Sequence, residues 1–362
     1  MTRASIRSRA AVCALLALAG TSLAAQSGSA PAGRGGVAGT GAFTLFVENM
    51  DRTLAFYAQA FDMEVPALPA SGARPYNQPN PRLFTMFDIP NARERHQSAR
   101  AQGVRTNLEV MEVQDVPHQT LRLRVQDPGA ATVVMLVRDV DLVLGGATRA
   151  GASVVTPGGK PVELGGGTRA VLIKDVDGRL LELRQPASMP DEASGTGNVI
   201  DIRLALAVQD LARSVRTYRD VFGFASDADA AGASTAATRA LTGLTGAIVT
   251  RARVRAPGSA MWIELAEYSG VDRTPLRMKI QDRGAARLQL RAEQIDALVR
   301  RVAAAGLTIV TPGGAAVPIP PNFKGALVAD PDNFFLTLFE ACSDCAPFTR
   351  PAGAAAPAPA AH

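Results

Sequence analysis

Residues 155–183 read VTPGGKPVELGGGTRAVLIKDVDGRLLEL, and residues 310–338 read VTPGGAAVPIPPNFKGALVADPDNFFLTL. The offset between them is a constant 155: Thr156 matches Thr311, Asp175 matches Asp330, and Glu182 matches Thr337. Self-similarity at a fixed period marks a repeated supersecondary unit, and missing it would misassign the whole fold. Each copy reads as a strand, a Pro-Gly-Gly turn, another strand, an acidic hairpin turn and a last strand. Glu182 stands in that last strand while its counterpart is a threonine. The copies therefore share a scaffold but differ in chemistry.

The segments before these copies repeat as well. Residues 42–61 (AFTLFVENMDRTLAFYAQAF) alternate Phe43, Leu45 and Val47 as a strand. Asn49 or Asp51 can then cap a helix carrying Leu54, Phe56, Tyr57 and Phe61. Residues 203–222 (RLALAVQDLARSVRTYRDVF) do the same with Leu204, Leu206 and Val208, the cap Asp210, and Val215, Tyr218 and Phe222. The aromatic side chains Phe56, Tyr57, Tyr218 and Phe222 lie at helical spacing and read as core. Two further openings, 132–151 and 287–306, are again 155 residues apart. Four modules result, starting near residues 42, 132, 203 and 287, each a strand, a helix and about three strands. The stretch 65–82 reads as a long loop, and 187–198 (ASMPDEASGTGN) as a polar linker between the pairs.

Four βαβββ modules in two tandem pairs resemble the vicinal-oxygen-chelate (VOC) superfamily of glyoxalases, bleomycin-resistance proteins and extradiol dioxygenases. The resemblance is carried by the module openings, with VQDLARSVRTY at 208–218, and by the hairpin DVDGRLLEL at 175–183. Asp330-Pro331-Asp332-Asn333 is similar again, and the likeness covers about 40–341. It implies an α+β fold in which the modules pair into two cupped mixed β-sheets. One VOC (glyoxalase-like) domain is expected over 41–186 and a second over 199–341. Whether the modules pair first with second and third with fourth, or cross between the halves, is left open by the sequence.

The resemblance also implies a divalent metal, held by His, Gln or Glu early in a module's first strand and by Glu in its last. The first-strand position falls on Ala42, Thr132, Arg203 and Arg287, none of which is such a ligand. The last-strand position falls on Glu109, Glu182, Glu264 and Thr337. The cofactor is thus unknown, a divalent metal remaining open although its usual ligand positions are mostly absent. Glu109 and Glu182 are expected to face one another in a first cup with Thr44, Phe46, Val134 and Leu136. Two close carboxylates raise one another's pKa, which makes them a candidate acid/base pair. They are also candidate metal ligands, with Asn107 and water, or with His118 swung over from the connection after the Glu109 strand. His96, in the charged run ARERHQ, reads as surface. In the second half Arg203 and Arg287 are expected to supply positive charge where a cation would sit, with Glu264 between them. Trp262, Gln289 and Arg291 share those strand faces, so Arg203, Trp262, Glu264, Arg287 and Gln289 are the ligand-binding candidates.

Other chemistries are poorly matched. Gly158-Gly159-Lys160 lacks the Walker spacing, the Asp-Val-Asp-Gly turn lacks the rest of a calcium loop, and no local nucleophile signature accompanies the histidines. Net charge is +5, of which Arg3, Arg7 and Arg9 contribute three, and no basic run speaks for nucleic acid. Those arginines precede the apolar run 10–19 and small residues at Ser22, Ala24 and Ala25, the pattern of a signal peptide over 1–25. The run is too short for a stable membrane span. Residues 26–40 read as a flexible linker, and export to a periplasm or the outside follows. There Cys342 and Cys345 would close a small disulfide loop at the head of an Ala/Pro tail, 342–362. The leading reading is an exported tandem protein, monomer or homodimer, that binds a small molecule. The alternatives are a metal-dependent lyase, isomerase or dioxygenase using Glu109 and Glu182, and a structural protein with filled cups.

Overall fold

The computed structural model describes residues 35–342 except 73, 77–80, 192, 228–234 and 320–321. The expected signal peptide, most of the linker, the Ala/Pro tail and Cys345 lie outside the described residues. Cys342 itself is disulfide-bonded. Among the described residues no helix is long and apolar enough to cross a membrane.

The first module comprises β1 (Gly36–Phe46), α1 (Met50–Phe61), the short α2 (Pro81–Met86), β2 (Arg93–Ala99) and β3 (Leu108–Gln114). The second has β4 (Ala131–Val137), α3 (Val140–Arg149), β5 (Ser153–Val154), β6 (Val162–Gly165), β7 (Thr168–Lys174) and β8 (Leu180–Gln185). In the third, β9 (Val199–Val208) leads to α4 (Leu211–Arg216), which continues as one π turn over Thr217–Val221. There follow β10 (Ala225–Asp227), α5 (Thr235–Thr242), β11 (Ile248–Arg255) and β12 (Trp262–Ser269). The fourth has β13 (Ala286–Glu293), α6 (Ile295–Ala304), β14 (Thr308–Ile309), β15 (Val317–Ile319), β16 (Phe323–Ala329) and β17 (Phe335–Ala341).

Local chemistry sets these boundaries. Asn49 caps α1 by accepting from the Arg52 amide, and Asp210 caps α4 by accepting from the Arg213 amide. In both Pro-Gly-Gly turns the first glycine has a left-handed backbone, φ 77° at Gly158 and φ 80° at Gly313. The acidic hairpins are side-chain-braced turns: Asp175 Oδ1 accepts from the amides of Asp177 and Arg179, and Asp330 Oδ1 from those of Asp332 and Phe334.

One boundary differs from the sequence reading. β1 begins at Gly36, inside the expected linker, and pairs Gly36–Thr40 with Leu290–Glu293. The glycines there are a packing feature. A Cβ on Gly39 would fall 2.5 Å from Arg291 Nη2, and one on Gly41 would fall 3.0 Å from Gln289 Cβ.

The modules cross between the halves. In every module the first strand pairs parallel with the last: β1 with β3, β4 with β8, β9 with β12, β13 with β17. The first strand's other edge must then be covered. β1 pairs antiparallel with β13 and β4 with β9, placing Thr44 opposite Arg287 and Val134 opposite Arg203. The eight-stranded first sheet runs β14-β16-β17-β13-β1-β3-β2, with β15 on β16. The nine-stranded second sheet runs β10-β11-β12-β9-β4-β8-β7-β5, with β6 on β7. The first sheet thus joins modules one and four, the second modules two and three.

Strand parity places the core on the helix side. Phe43, Leu45, Val47, Leu204, Leu206 and Val208 join one apolar cluster with the aromatic residues of the first helices. Within each half the modules also dock through their hairpins. Asp177 accepts from Arg52 Nη2 at 2.7 Å and from the Thr53 hydroxyl at the start of α1. Asp332 accepts from the Gln209 amide at 2.9 Å and the Ser214 hydroxyl at 3.1 Å, around the start of α4.

Candidate functional site: two cups plugged by guanidinium groups

The faces turned away from the helices form two cups, each partly filled. In the first, Phe84, Met86 and Phe87, in and after α2, pack with Phe46, Met111, Leu327 and Phe335. In the second, Leu241 of α5 packs with Leu123, Ala170, Leu172 and Leu180. Polar side chains occupy the rest of each cup.

In the first cup Glu109 is the hub. Its Oε2 accepts from Thr44 Oγ1 at 2.6 Å, Gln289 Nε2 at 3.1 Å and Arg287 Nη2 at 3.2 Å. Arg287 is 2% exposed and also donates to the hydroxyls of Thr44 and Thr337. Its guanidinium lies over the Phe87 ring, 4.7 Å from the centroid. Burial pushes the Glu109 carboxyl up, but the charge of Arg287 and the Thr44 hydroxyl outweigh it, and the net shift is downward.

In the second cup Arg184 bridges two carboxylates. Its Nε donates to Glu182 Oε1 at 2.6 Å, its Nη1 to Glu264 Oε1 at 2.6 Å and its Nη2 to Glu264 Oε2 at 3.1 Å. The contact with Glu264 is bidentate, the strong form of this pair. Burial raises the Glu264 carboxyl, but Arg184, with Arg251 and Arg203 nearby, lowers it to about 2. Arg203 is buried and donates to Asp201 at 2.8 Å. On the adjoining strands the guanidinium groups of Arg253 and Arg255, both from β11, lie over the Trp262 ring, 5.3 Å and 4.8 Å from its centroid.

The crossed pairing corrects two expectations. Glu109 and Glu182 do not share a cup, because Glu109 lies in the first sheet and Glu182 in the second. Likewise Arg287 and Gln289 lie in the first cup, while Arg203, Trp262 and Glu264 lie in the second. His118 bonds the Val116 carbonyl at 3.0 Å and borders an open groove of about 640 Å³ with Arg277, Met278, Lys279 and Asp282. Neither glutamate lines that groove.

Residues 39–183 and 202–336 both match the model of the Glyoxalase/Bleomycin resistance protein/Dioxygenase superfamily. The chain belongs to this superfamily. Glyoxalase I from Zea mays superposes with a TM-score of 0.51 at 16% identity, covering 84% of this chain and 92% of that one. A dioxygenase-like protein from Bacillus subtilis gives a TM-score of 0.51 at 11% identity, covering 84% and 86%. At such identity the likeness shows the fold alone. No curated protein matches the chain.

The divalent metal that superfamily membership implies is poorly served by these donor sets. A catalytic ion generally needs about three protein ligands converging on one point. Here the Glu109 oxygen turned toward the seam already accepts from three donors, one a fixed cation, and Arg184 spans both carboxylates of the other cup. Among the described residues no group of three or more His, Cys, Asp or Glu is placed to hold a metal ion.

Two participants escape the sequence reading. Arg184 lies two residues beyond Glu182, on the same strand face, so parity alone would have found it. His96, read as surface, does keep a side chain 40% exposed, but it sits in β2 opposite Met111, on the cup side with Glu94 and Ser98. The alternation Glu94, His96, Ser98 was the available signal.

Proposed function

We propose that the chain is a metal-independent, small-molecule-binding member of the superfamily. The observation that carries this reading is a guanidinium bound to the carboxylates of each cup, Arg287 on Glu109 and Arg184 on Glu182 and Glu264. A fixed internal cation takes the electrostatic role of a bound ion and leaves the cup mouth for a ligand. The second cup is the binding site. Trp262 is half-buried, Arg255 is exposed beside it and Arg253 is partly so. A planar anion could stack on the indole and engage a guanidinium through paired hydrogen bonds. Arg203 and Glu264 form the floor beneath it, while Arg287 and Gln289 serve the other cup. The first-strand edges that meet in each sheet are paired within one chain, which favours a monomer. Export, expected from residues 1–25, would make this a periplasmic or extracellular carrier or sequestering protein.

Trp262 is the only tryptophan, so its fluorescence reports on this cup alone. Titration with a panel of small planar aromatic carboxylates should give saturable quenching and a raised melting temperature. Arg255→Ala should weaken the best ligand about tenfold, the loss of one good charge-assisted contact. Zn²⁺, Mn²⁺, Fe²⁺ and Ni²⁺ should neither bind stoichiometrically nor change ligand affinity. A flat fluorescence response with no melting shift across the panel, or stoichiometric metal, defeats the reading.

A further inference from the structure

The repeat extends into the connections that join the modules, and there the two copies differ by one carboxylate. Residues 117–131 read PHQTLRLRVQDPGAA, and residues 272–286 read DRTPLRMKIQDRGAA, again 155 positions on. The two connections brace one another through matched bonds. Thr274 donates its amide to Asp127 Oδ1 at 2.8 Å, and Gln119 donates its amide to Asp282 Oδ1 at 2.9 Å. The Leu276 amide donates to the Pro128 carbonyl at 2.9 Å, and the Leu121 amide to the Arg283 carbonyl at 2.8 Å. The side chains on this common frame diverge. In the first copy Arg124 donates through Nε and Nη2 to Asp127 and through Nη1 to the Asp272 carboxylate at 2.9 Å. In the second copy Lys279 stands for Arg124, and Pro117 stands for Asp272. Asp282, 1% exposed, is committed elsewhere: it accepts from the Gln119 amide and Nε2, both at 2.9 Å, and from the Lys279 amide at 2.7 Å. The Lys279 ammonium and the Arg277 guanidinium are exposed, with no ion pair or hydrogen bond to the described residues. Both line the groove of about 640 Å³ that His118 borders, over an apolar floor of Pro117, Leu276 and Met278. That volume falls in the range of small-molecule sites, about 300–1,000 Å³.

We propose that this groove binds a small aliphatic carboxylate, whose headgroup takes the place that the Asp272 side chain holds in the other copy. The molecule's own first copy identifies the chemistry: the cation at this position of the frame is met by a carboxylate. Lys279 and Arg277 supply the charge-assisted hydrogen bonds. Pro117, Leu276 and Met278 take the alkyl chain. No Phe, Tyr or Trp lines the groove, so a flexible chain suits its floor better than a stacked ring. Trp262 lies outside the groove, and the site stands independently of the second cup.

The test titrates the full chain with hexanoate and follows the histidine ring C–H signals by NMR, that of His118 being identified by its loss in His118→Gln. Hexanoate should shift the His118 signal saturably and leave that of His96 and the Trp262 fluorescence unchanged. Hexanamide, of the same shape without the charge, should bind about tenfold more weakly, and so should hexanoate to Lys279→Gln, the scale of one lost charge-assisted contact. Pro117→Asp installs the missing carboxylate within the chain and should abolish hexanoate binding with no loss of melting temperature. Pro117→Asn, uncharged at the same place, should keep it. The proposal is overturned if the His118 signal shows no saturable shift, or if that shift tracks a change in Trp262 fluorescence. It is equally overturned if hexanamide binds as well as hexanoate, if Pro117→Asp binds like the parent, or if the Asp and Asn variants lose binding alike.

Discussion

A guanidinium buried against a carboxylate adds little net stability, yet breaking the pair strands a charge. Arg287→Met should therefore cost about 3–5 kcal/mol in denaturant unfolding, by leaving Glu109 without its cation. The double variant Glu109→Gln, Arg287→Met should recover most of that loss, and a double variant as unstable as the single one would refute the pairing argument. Asp330 behaves differently. Burial, reinforced by Asp332, raises its carboxyl to about 7, while it accepts from the Tyr218 hydroxyl at 3.0 Å. The folded state thus holds a proton that the unfolded chain releases near pH 4. That contribution is complete below pH 4 and is lost as pH rises through about 7, on the order of 4 kcal/mol in all. Asp330→Asn should flatten this part of a stability profile measured from pH 4 to 8. Strand parity made the glutamates visible in the sequence. Their partners were hidden for two reasons: Arg184 because it lies two residues beyond the last-strand position that the superfamily pattern singles out, Arg287 because it arrives from a module three units away.

At the scale of elements, strand alternation and capping residues were legible because they are local. Asn49, Asp210 and both Asp-rich hairpins are read from a few neighbouring residues. The start of β1 was not legible, since its glycines signal a linker unless one knows that Arg291 and Gln289 lie across from them. The docking role of the hairpins was also invisible, because it joins residues more than a hundred positions apart, such as Ser214 and Asp332. Asp332→Ala removes acceptors for the Gln209 amide and the Ser214 hydroxyl. It should destabilise by about 1–3 kcal/mol, the cost of orphaning such groups. Hydrogen exchange should show α4 losing protection before α1, and equal loss in both helices would contradict this docking.

At the scale of the molecule, the two sequence halves are not the two sheets. Residues 199–341 expressed alone would carry β9 and β13 with their seam edges bare. Such a fragment should self-associate or aggregate, and mixing with residues 35–198 should restore a soluble one-to-one complex with the melting behaviour of the intact chain. A half that is monomeric and fully stable by itself would count against the crossed arrangement. Crossing could not be read from the repeat, because a 155-residue period is compatible with either pairing of the first strands. It also imposes an order of events as the polypeptide emerges from the ribosome. The seam of the second sheet, Val134 against Arg203, is complete once the middle of the chain has been made, whereas Thr44 must wait for Arg287. The pairings are nested like parentheses, the inner closing before the outer. Loop closure and contact order then make the outer seam the late, slow step of refolding. Until it closes, β1 waits with its seam edge unpaired, open to the edges of other chains.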